Sequence, residues 1–359
     1  MKASANSHRF VTVLFGPLGD TLMALSLYDD LISLAPDATL LILTRRNAVM
    51  IRELASEYPG VEVREIPRGI KAVSFFASIL NERGCTLLTL GLVSVGYSLP
   101  LRLFFLLFGL LPGNRTIGFH DPLLDVALDF DIRYSMLDNL RRLLPYALPT
   151  VALEAGRPAQ MKMHTEKPVD LPYKKGEYIV AHLFGVSIPH TLPPERWQRI
   201  FTAVRKEYPK YAIILTGTEA QREVAEEVAF GIAGVTVVTH LSLSELASVI
   251  DDAALYIGID TGVTHLAGLL NQKSLIIRHC SDPSWIPSYN PNARILFNSS
   301  RCQPDDPLLC GIVEEKGKQY RRSTYDISEV LILASIRLAL ATSTRDVPTF
   351  AGVIDEAKI

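Results

Sequence analysis

The chain has 359 residues, of which 48% are hydrophobic and 21% charged, and its formal net charge is −2 at pH 7. This length accommodates two domains with ample cores, and the near-neutral charge excludes the general attraction to nucleic acid that a basic protein has. The longest apolar stretch, Leu99–Leu111, contains Arg102 and is shorter than the roughly 20 residues that a membrane-spanning helix needs. Composition therefore indicates a globular protein without a spanning segment.

In the N-terminal half, short apolar runs alternate with helical patterns. The first run, Phe10–Phe15, is followed by a turn at Gly16–Asp20 and by leucines at helical spacing up to Leu34. The same alternation predicts further strands at Thr39–Leu43, Val61–Ile66 and Thr86–Leu90, and helices at Asn47–Tyr58 and Val73–Arg83. This pattern is typical of a parallel sheet covered by helices.

The apolar stretch Leu99–Leu111 has two open interpretations. It is either a helix buried in the core or a helix whose apolar face lies on a membrane surface. In the second case the chain is a peripheral protein on the inner face of the cytoplasmic membrane.

A loose stretch at Glu154–Glu177, rich in Pro, Lys and Gly, predicts an interdomain connection. The alternation then restarts with strands Tyr178–Leu183, Ala212–Leu215, Thr236–Val238, Leu255–Ile259 and Ser274–Ile277, and helices Pro194–Tyr208, Glu219–Phe230, Leu243–Asp251 and Thr264–Leu270. A polar, irregular region from His279 to Tyr325 is predicted before a terminal helix near Ile327–Ala341. The expected fold is α/β, with two doubly wound, Rossmann-like domains (1–160 and 161–359) facing each other across a cleft. The terminal helix is free to pack back on the first domain.

The segment Asp260-Thr-Gly-Val-Thr-His265 follows the predicted strand Leu255–Ile259 and opens a helix. Such a turn directs backbone N–H groups and the positive end of a helix dipole at one point, which suits a phosphate. The hydroxyls of Thr261 and Thr264 and the His265 ring are additional donors there. The turn Gly16-Pro-Leu-Gly-Asp20 is the corresponding feature of the first domain.

Two classes of chemistry are considered for these turns. A nicotinamide-dependent oxidoreductase would carry Gly-x-Gly-x-x-Gly in its first turn, and only Gly16 and Gly19 are present there. Arg45-Arg46, after the second strand, could nevertheless accept the phosphate of NADP. Transfer from a nucleotide-activated donor instead requires a base for the acceptor hydroxyl, and Asp20 is a candidate. Capping of a helix is the alternative role of both Asp20 and Asp260. Neither turn has an Asp-x-Asp pair, so no obligatory metal and no cofactor is predicted.

The two turns resemble those of glycosyltransferase family 9, the bacterial ADP-heptose:lipopolysaccharide heptosyltransferases. Gly19-Asp20-Thr-Leu-Met-Ala-Leu is similar to the family's first turn, and Asp260-Thr-Gly-Val-Thr-His265-Leu-Ala267 to its Asp-Thr-Gly-x-x-His-x-Ala segment. Further similar segments are Arg115-Thr-Ile-Gly-Phe119, Pro194-Glu-Arg-Trp197, Leu215-Thr-Gly217 and Leu243-Ser-Glu-Leu-Ala247.

The resemblance implies a GT-B fold and inverting transfer of a sugar, by family default heptose, from a nucleotide donor, by default ADP-linked, to a glycan or lipid-linked acceptor of the lipopolysaccharide type. It assigns the role of base to Asp20, with Gly19 and Thr21 in the acceptor-side turn. It assigns donor binding to these residues: Asp260, Thr261, Gly262, Val263, His265, Gln221 and His190. A nucleotide-sugar binding relative without activity is the alternative, with an NADP-linked oxidoreductase behind it.

Three positions depart from the family pattern, all on the donor side. His190 stands where a Lys or Arg usually precedes the Pro-x-x-Trp segment, and Gln221 stands where a Glu usually contacts the ribose. Arg278-His279 replaces a Gly-led turn, and either residue could supply the cation that His190 does not. All three departures bear on the donor nucleotide and sugar and leave the expected fold and transfer reaction unaffected.

The four cysteines include no Cys-x-x-Cys pair, and reduced thiols in a cytoplasmic protein are expected. Cys302 and Cys310 are interpreted as packed thiols rather than a metal or redox site.

Overall fold

A computed structural model describes residues 8–14, 18–45, 48–56, 58–89, 98–131, 133–149, 169–185, 191–278, 287–301, 312–342 and 352–358. The chain divides into two compact units, Met1–Met163 and His164–Ile359. This division falls three residues beyond the boundary expected from composition, within the stretch that the Pro, Lys and Gly content marks as a connection.

The N-terminal unit contains one parallel sheet. Its strands are β1 (Arg9–Leu14), β2 (Thr39–Thr44), β3 (Val61–Glu65), β4 (Cys85–Leu88), β5 (Arg115–Phe119) and β6 (Val126–Leu128), in the spatial order β3-β2-β1-β4-β5-β6. Its helices are α1 (Leu18–Leu34), α2 (Ala48–Ala55), α3 (Lys71–Ile79), α4 (Leu99–Gly109), α5 (Met136–Arg141) and α6 (Leu144–Ala147). The order reverses at β1, the point where ligands bind in open sheets of this kind.

Alternate residues of β1 serve different faces of the sheet, as strand geometry requires. Val11 and Val13 pack in a cluster with Phe104, Phe105 and other apolar side chains of α4. Helix α1 is buried over most of its length, so its polar side chains must find partners inside the protein. One of them, Asp30, forms a buried ion pair with Arg141 at 2.8 Å.

The C-terminal unit repeats this architecture. Its strands are β7 (Tyr178–His182), β8 (Ala212–Thr216), β9 (Val235–Val238), β10 (Leu255–Ile259), β11 (Ser274–Ile277), β12 (Ala293–Phe297), β13 (Ile312–Glu315), β14 (Lys318–Arg321) and β15 (Gly352–Asp355). Its helices are α7 (Pro194–Glu207), α8 (Arg222–Ala229), α9 (Leu243–Asp251), α10 (Gly262–Leu269), α11 (Arg322–Tyr325) and α12 (Glu329–Ala341), with single 3-10 turns at Glu219–Gln221, Ser299–Arg301 and Glu356–Lys358.

Seven of these strands form a parallel sheet in the order β15-β12-β11-β10-β7-β8-β9, and β13 and β14 form a separate antiparallel hairpin. The order reverses at β7, which lies between β10 and β8. Trp197 and Phe201 of α7 are fully buried in the core on one face of the sheet, where Ile332 and Ile336 of α12 join them. The terminal helix thus packs within its own unit, against α7 and β11.

The polar region from His279 to Tyr325 was expected to be irregular, and this was wrong for part of it. Strand β12 pairs with β11, and the hairpin of β13 and β14 follows. Strand β12 has five residues and β13 and β14 have four each, and the last two are rich in charged residues. Hydrophobic periodicity therefore gave little signal for these strands. Among the described residues, no helix has the length and apolarity needed to cross a membrane.

Candidate functional site

The turn between β10 and α10 has the conformation that its sequence predicts. Strand β10 ends at Ile259, Thr261 is the extended N-cap residue, and α10 begins at Gly262. The Thr261 hydroxyl does not cap the helix: its Oγ1 is buried and has no hydrogen-bond partner among the described residues. A buried hydroxyl of this kind at the first turn of a helix is suited to hydrogen-bond a ligand oxygen.

Thr264, expected to add a donor to the turn, faces the interior instead. Its hydroxyl donates to the carbonyl of Ile259 and lies 3.0 Å from the Tyr256 hydroxyl. Gly258 is required beneath this bond, because a Cβ there would lie 2.4 Å from the Tyr256 oxygen and 2.7 Å from Thr264 Oγ1. Thr264 therefore holds the turn in shape and is unavailable to a ligand.

His265 lies in the first turn of α10 and is only 5% exposed. Its Nδ1 lies 2.9 Å from the Tyr289 hydroxyl, and the two rings are stacked. Burial lowers the pKa of His265, while the charge of Asp260 acts in the opposite direction. The imidazole is accordingly neutral near pH 7, with one ring nitrogen committed to Tyr289.

Gln221 lies at the same edge of the sheet, after β8. Its Oε1 accepts the backbone N–H of Thr218 at 2.8 Å, which completes a capping box for the 3-10 turn. Its Nε2 faces the Gly185 carbonyl at 3.5 Å. Gln221 thus spans the loops after β7 and β8, and its carbonyl oxygen already has a structural partner.

His182 ends β7, the strand between those of Gln221 and Asp260. Its Nδ1 lies 3.1 Å from Thr216 Oγ1, and burial lowers its pKa to about 4. A strand-end histidine that is neutral at physiological pH contributes packing and a hydrogen bond but no positive charge.

Asp20 is the chemically most unusual residue of the N-terminal unit. Helix α1 begins at Leu18, so Asp20 lies inside the first helical turn and is not the N-cap residue. It is 5% exposed, its Oδ1 has no hydrogen-bond partner among the described residues, and burial raises its pKa to about 7. Gly19 and Thr21 beside it are buried in the same turn. A helix cap does not account for such a carboxyl group.

Two threonines that no sequence motif singles out lie toward the carboxyl ends of the central strands of the N-terminal sheet. Thr12 belongs to β1 and Thr89 directly follows β4, the neighbouring strand. Both hydroxyls are buried without a hydrogen-bond partner in the described part of the chain. The only sequence signal was a threonine inside or directly after an apolar run, which is too common to be diagnostic.

Several expected site residues lie outside the described residues: His190, His279, Gly16, Cys302 and Cys310. Arg278 is described, and it directly follows β11 beside the turn of Asp260. The structure thus brings Asp260, Thr261, Gly262, Val263 and His265 together in one turn and places Gln221 two strands away. Within the ranges described, no three His, Cys, Asp or Glu side chains are grouped as metal ligands.

Two parallel-sheet α/β domains of this kind define the GT-B class. The fold is similar to a family 9 glycosyl transferase from Veillonella parvula, with a TM-score of 0.70 at 13% identity, covering 95% of this chain and 99% of that one. It is also similar to the Escherichia coli heptosyltransferase WaaC with ADP, with a TM-score of 0.66 at 16% identity, covering 92% and 99%.

Residues 149–310 match the model of glycosyltransferase family 9 (heptosyltransferase). The chain is 27% identical to lipopolysaccharide heptosyltransferase 1 of Escherichia coli over 131 residues, which are 35% of this chain and 39% of that protein. The corresponding Salmonella typhimurium protein is 25% identical over 161 residues, 39% and 47% of the two chains. The chain thus spans less than half the length of these curated relatives. Within residues 149–310 it is therefore similar to glycosyltransferase family 9.

Proposed function

We propose that this protein is an inverting glycosyltransferase that transfers a sugar, heptose from ADP-heptose by family default, to a hydroxyl of a lipopolysaccharide-type acceptor. The observation that carries the proposal is Asp20 in the first turn of α1, a buried carboxyl with a raised pKa and an oxygen that has no hydrogen-bond partner among the described residues. The match of residues 149–310 to the family model supports the donor half of the reaction, as does the buried Thr261 hydroxyl, which has no hydrogen-bond partner among the described residues.

Asp20 acts as the general base. Its carboxylate takes the proton of the acceptor hydroxyl while that oxygen forms a bond to the anomeric carbon of the donor. A pKa near 7 favours this role, because a carboxylate accepts a proton more readily as its pKa approaches the working pH. Attack from the face opposite the diphosphate inverts the configuration at carbon.

The turn at Thr261 receives the leaving group. As the bond between the anomeric carbon and the diphosphate oxygen breaks, the electron pair remains on the diphosphate. The N–H groups of Gly262 and Val263 have no partner within the helix because they belong to its first turn, and they point toward the helix N-terminus. With the Thr261 hydroxyl and the helix dipole, they stabilise the developing negative charge.

A lipid-linked acceptor fits helix α4. One face carries Phe104 and Phe105 into the core, while four leucines lie on the other: Leu99, Leu103, Leu107 and Leu110 are 66%, 46%, 49% and 71% exposed. The Phe76 ring of α3 lies 4.7 Å from that of Phe104, so the two helices are neighbours. Ahead of α3, Ile70 is 88% exposed, and the basic residues Arg68 and Lys71 beside it are exposed too.

An exposed apolar stripe on α4, with exposed basic residues at the start of the neighbouring helix α3, suits the surface of an anionic membrane. We therefore include a lipid surface, contacted peripherally through α4, in the proposed function.

The decisive experiment combines binding and turnover. A thermal-shift panel of ADP, UDP, GDP and NADPH should show stabilisation by ADP, and purified protein should transfer heptose from ADP-heptose to lipopolysaccharide core. The Asp20→Ala variant should bind ADP as the wild type does and show no transfer. The Thr261→Val variant, which is similar in volume and lacks the hydroxyl, should bind ADP more weakly.

Three outcomes would contradict the proposal. Near-normal turnover by Asp20→Ala would show that Asp20 is not the general base. Stabilisation by NADPH rather than by a nucleoside diphosphate would favour the oxidoreductase. ADP binding without transfer or donor hydrolysis by the wild type would indicate a binding protein.

A further inference from the structure

We propose that Arg278 supplies the positive charge that binds the diphosphate of the donor. This inference rests on the proposed function, since it names a residue of the same donor site. The residue is not part of the Asp-Thr-Gly-x-x-His segment. It reaches the site from the neighbouring strand.

The backbone places Arg278 beside the turn. Its N–H donates to the carbonyl of Leu296 at 2.8 Å, so the ladder between β11 and β12 continues through this residue. In the ladder between β10 and β11, Ile259 pairs with Ile277. The next residues are Asp260 and Arg278, on strands that lie about 4.8 Å apart in a parallel sheet.

Strand alternation puts Arg278 on the same face of the sheet as α10. Tyr256 of β10 faces that helix, because its hydroxyl meets Thr264 Oγ1 at 3.0 Å. Gly258 faces it too, and Gly258 pairs with Ile276. Side chains two residues apart on a strand share a face, so Asp260 and Arg278 continue this row.

An aromatic ring supports the guanidinium. The Arg278 Cζ lies 5.0 Å from the centroid of Phe297, at the end of β12. Stacking on a ring orients the planar guanidinium, whose N–H groups lie within its own plane. This arrangement suits bidentate binding of phosphate oxygens.

The charge at this sheet edge favours the assignment. In the described part of the chain, Arg278 is the only Lys or Arg within two residues after the carboxyl end of any strand of the seven-stranded sheet. Burial keeps His182 and His265 neutral, and Asp260 is acidic. A helix N-terminus is equivalent to roughly half an elementary charge, which offsets only part of the negative charge of a diphosphate.

The test compares phosphate-containing and phosphate-free ligands of the full chain. The affinities of ADP and adenosine are measured by competition with a fluorescent ADP analogue for the wild type, Arg278→Gln and Arg278→Lys. Arg337→Gln is the matched control, because it removes a half-exposed guanidinium of the same unit that pairs with Glu207.

Arg278→Gln should weaken ADP by about tenfold or more, as expected for loss of a charged hydrogen-bonding partner, and should leave adenosine unchanged. Arg278→Lys should recover part of the loss, and Arg337→Gln should match the wild type. Unchanged ADP affinity in Arg278→Gln would overturn this inference and leave the proposed function intact, as would equal losses for ADP and adenosine, which indicate a structural role. If the wild type binds no ADP, the proposed function falls, and this inference falls with it.

Discussion

Replacing Asp20 with Asn should stabilise the protein in a pH-dependent way while it abolishes transfer. The carboxyl is buried and its pKa is raised from 3.8 to about 7, so between these values the folded protein holds the proton more tightly than the unfolded chain. By linkage, the free energy of unfolding then falls as pH rises through this window. Asn has nearly the same shape and cannot ionise, which removes this dependence.

The pKa difference sets the size of the effect. The full difference of about three units corresponds to about 4 kcal/mol at 1.36 kcal/mol per unit, and it is reached above pH 7. At pH 5 the carboxyl is ionised in the unfolded chain and protonated in the folded protein, which lowers the free energy of unfolding by about 1.5 kcal/mol. The stability advantage of Asp20→Asn should therefore grow by about 2–3 kcal/mol between pH 5 and pH 8.

Urea unfolding followed by circular dichroism at pH 5 and pH 8 measures this difference directly. Asp131→Asn is the control, because hydrogen bonds from Arg133 lower the pKa of Asp131 to about 2. Folded and unfolded pKa values of that residue both lie below 5, so its effect on stability should be the same at the two pH values. If the difference between Asp20→Asn and the wild type does not change with pH, the carboxyl is not buried as described and the argument for the base fails.

Two further predictions concern packing and the membrane. A Cβ at Gly118 would lie 1.6 Å from Thr89 Oγ1, so Gly118→Ala should cost about 1–3 kcal/mol in urea unfolding, and adding Thr89→Ala should recover part of this loss. The double substitution Leu103→Glu and Leu107→Glu should abolish co-sedimentation with anionic vesicles and leave stability nearly unchanged. The control Val49→Glu, at a residue of α2 that is 78% exposed, should leave sedimentation intact. Equal vesicle binding by all variants would show that α4 is not the surface that contacts the membrane.

The fold was largely predictable because its periodic signals are strong. Both β10 and β7 are five-residue strands, buried throughout and apolar except for His182 at the end of β7, and the structure places them where the sequence predicted. Strands β5 and β6 were missed, since Arg115–Phe119 and Val126–Leu128 are short and are not followed by a clear amphipathic helix. Such strands are stabilised by their neighbours in the sheet more than by their own sequence.

The candidate site was predictable only in its backbone. The position of the Asp260 turn could be predicted because an apolar strand pattern is followed directly by a helical pattern. Which side chains face a ligand could not be predicted, because it depends on side-chain rotamers and on partners distant in sequence. Thr264 turns inward to Tyr256, whereas the buried Thr261 hydroxyl has no partner among the described residues. The pKa of Asp20 likewise depends on its burial in the folded unit.

The hydrogen bond from the Thr218 N–H to Gln221 shows that the structural role of position 221 is independent of its charge. The capping box accepts either Gln or Glu, since both present an oxygen to the Thr218 N–H. Exchange between these residues therefore leaves the turn after β8 intact while it changes the charge at the donor edge by one unit. If the proposed function holds, Gln221→Glu should therefore test whether the charge at position 221 influences the choice of donor, at little cost in stability.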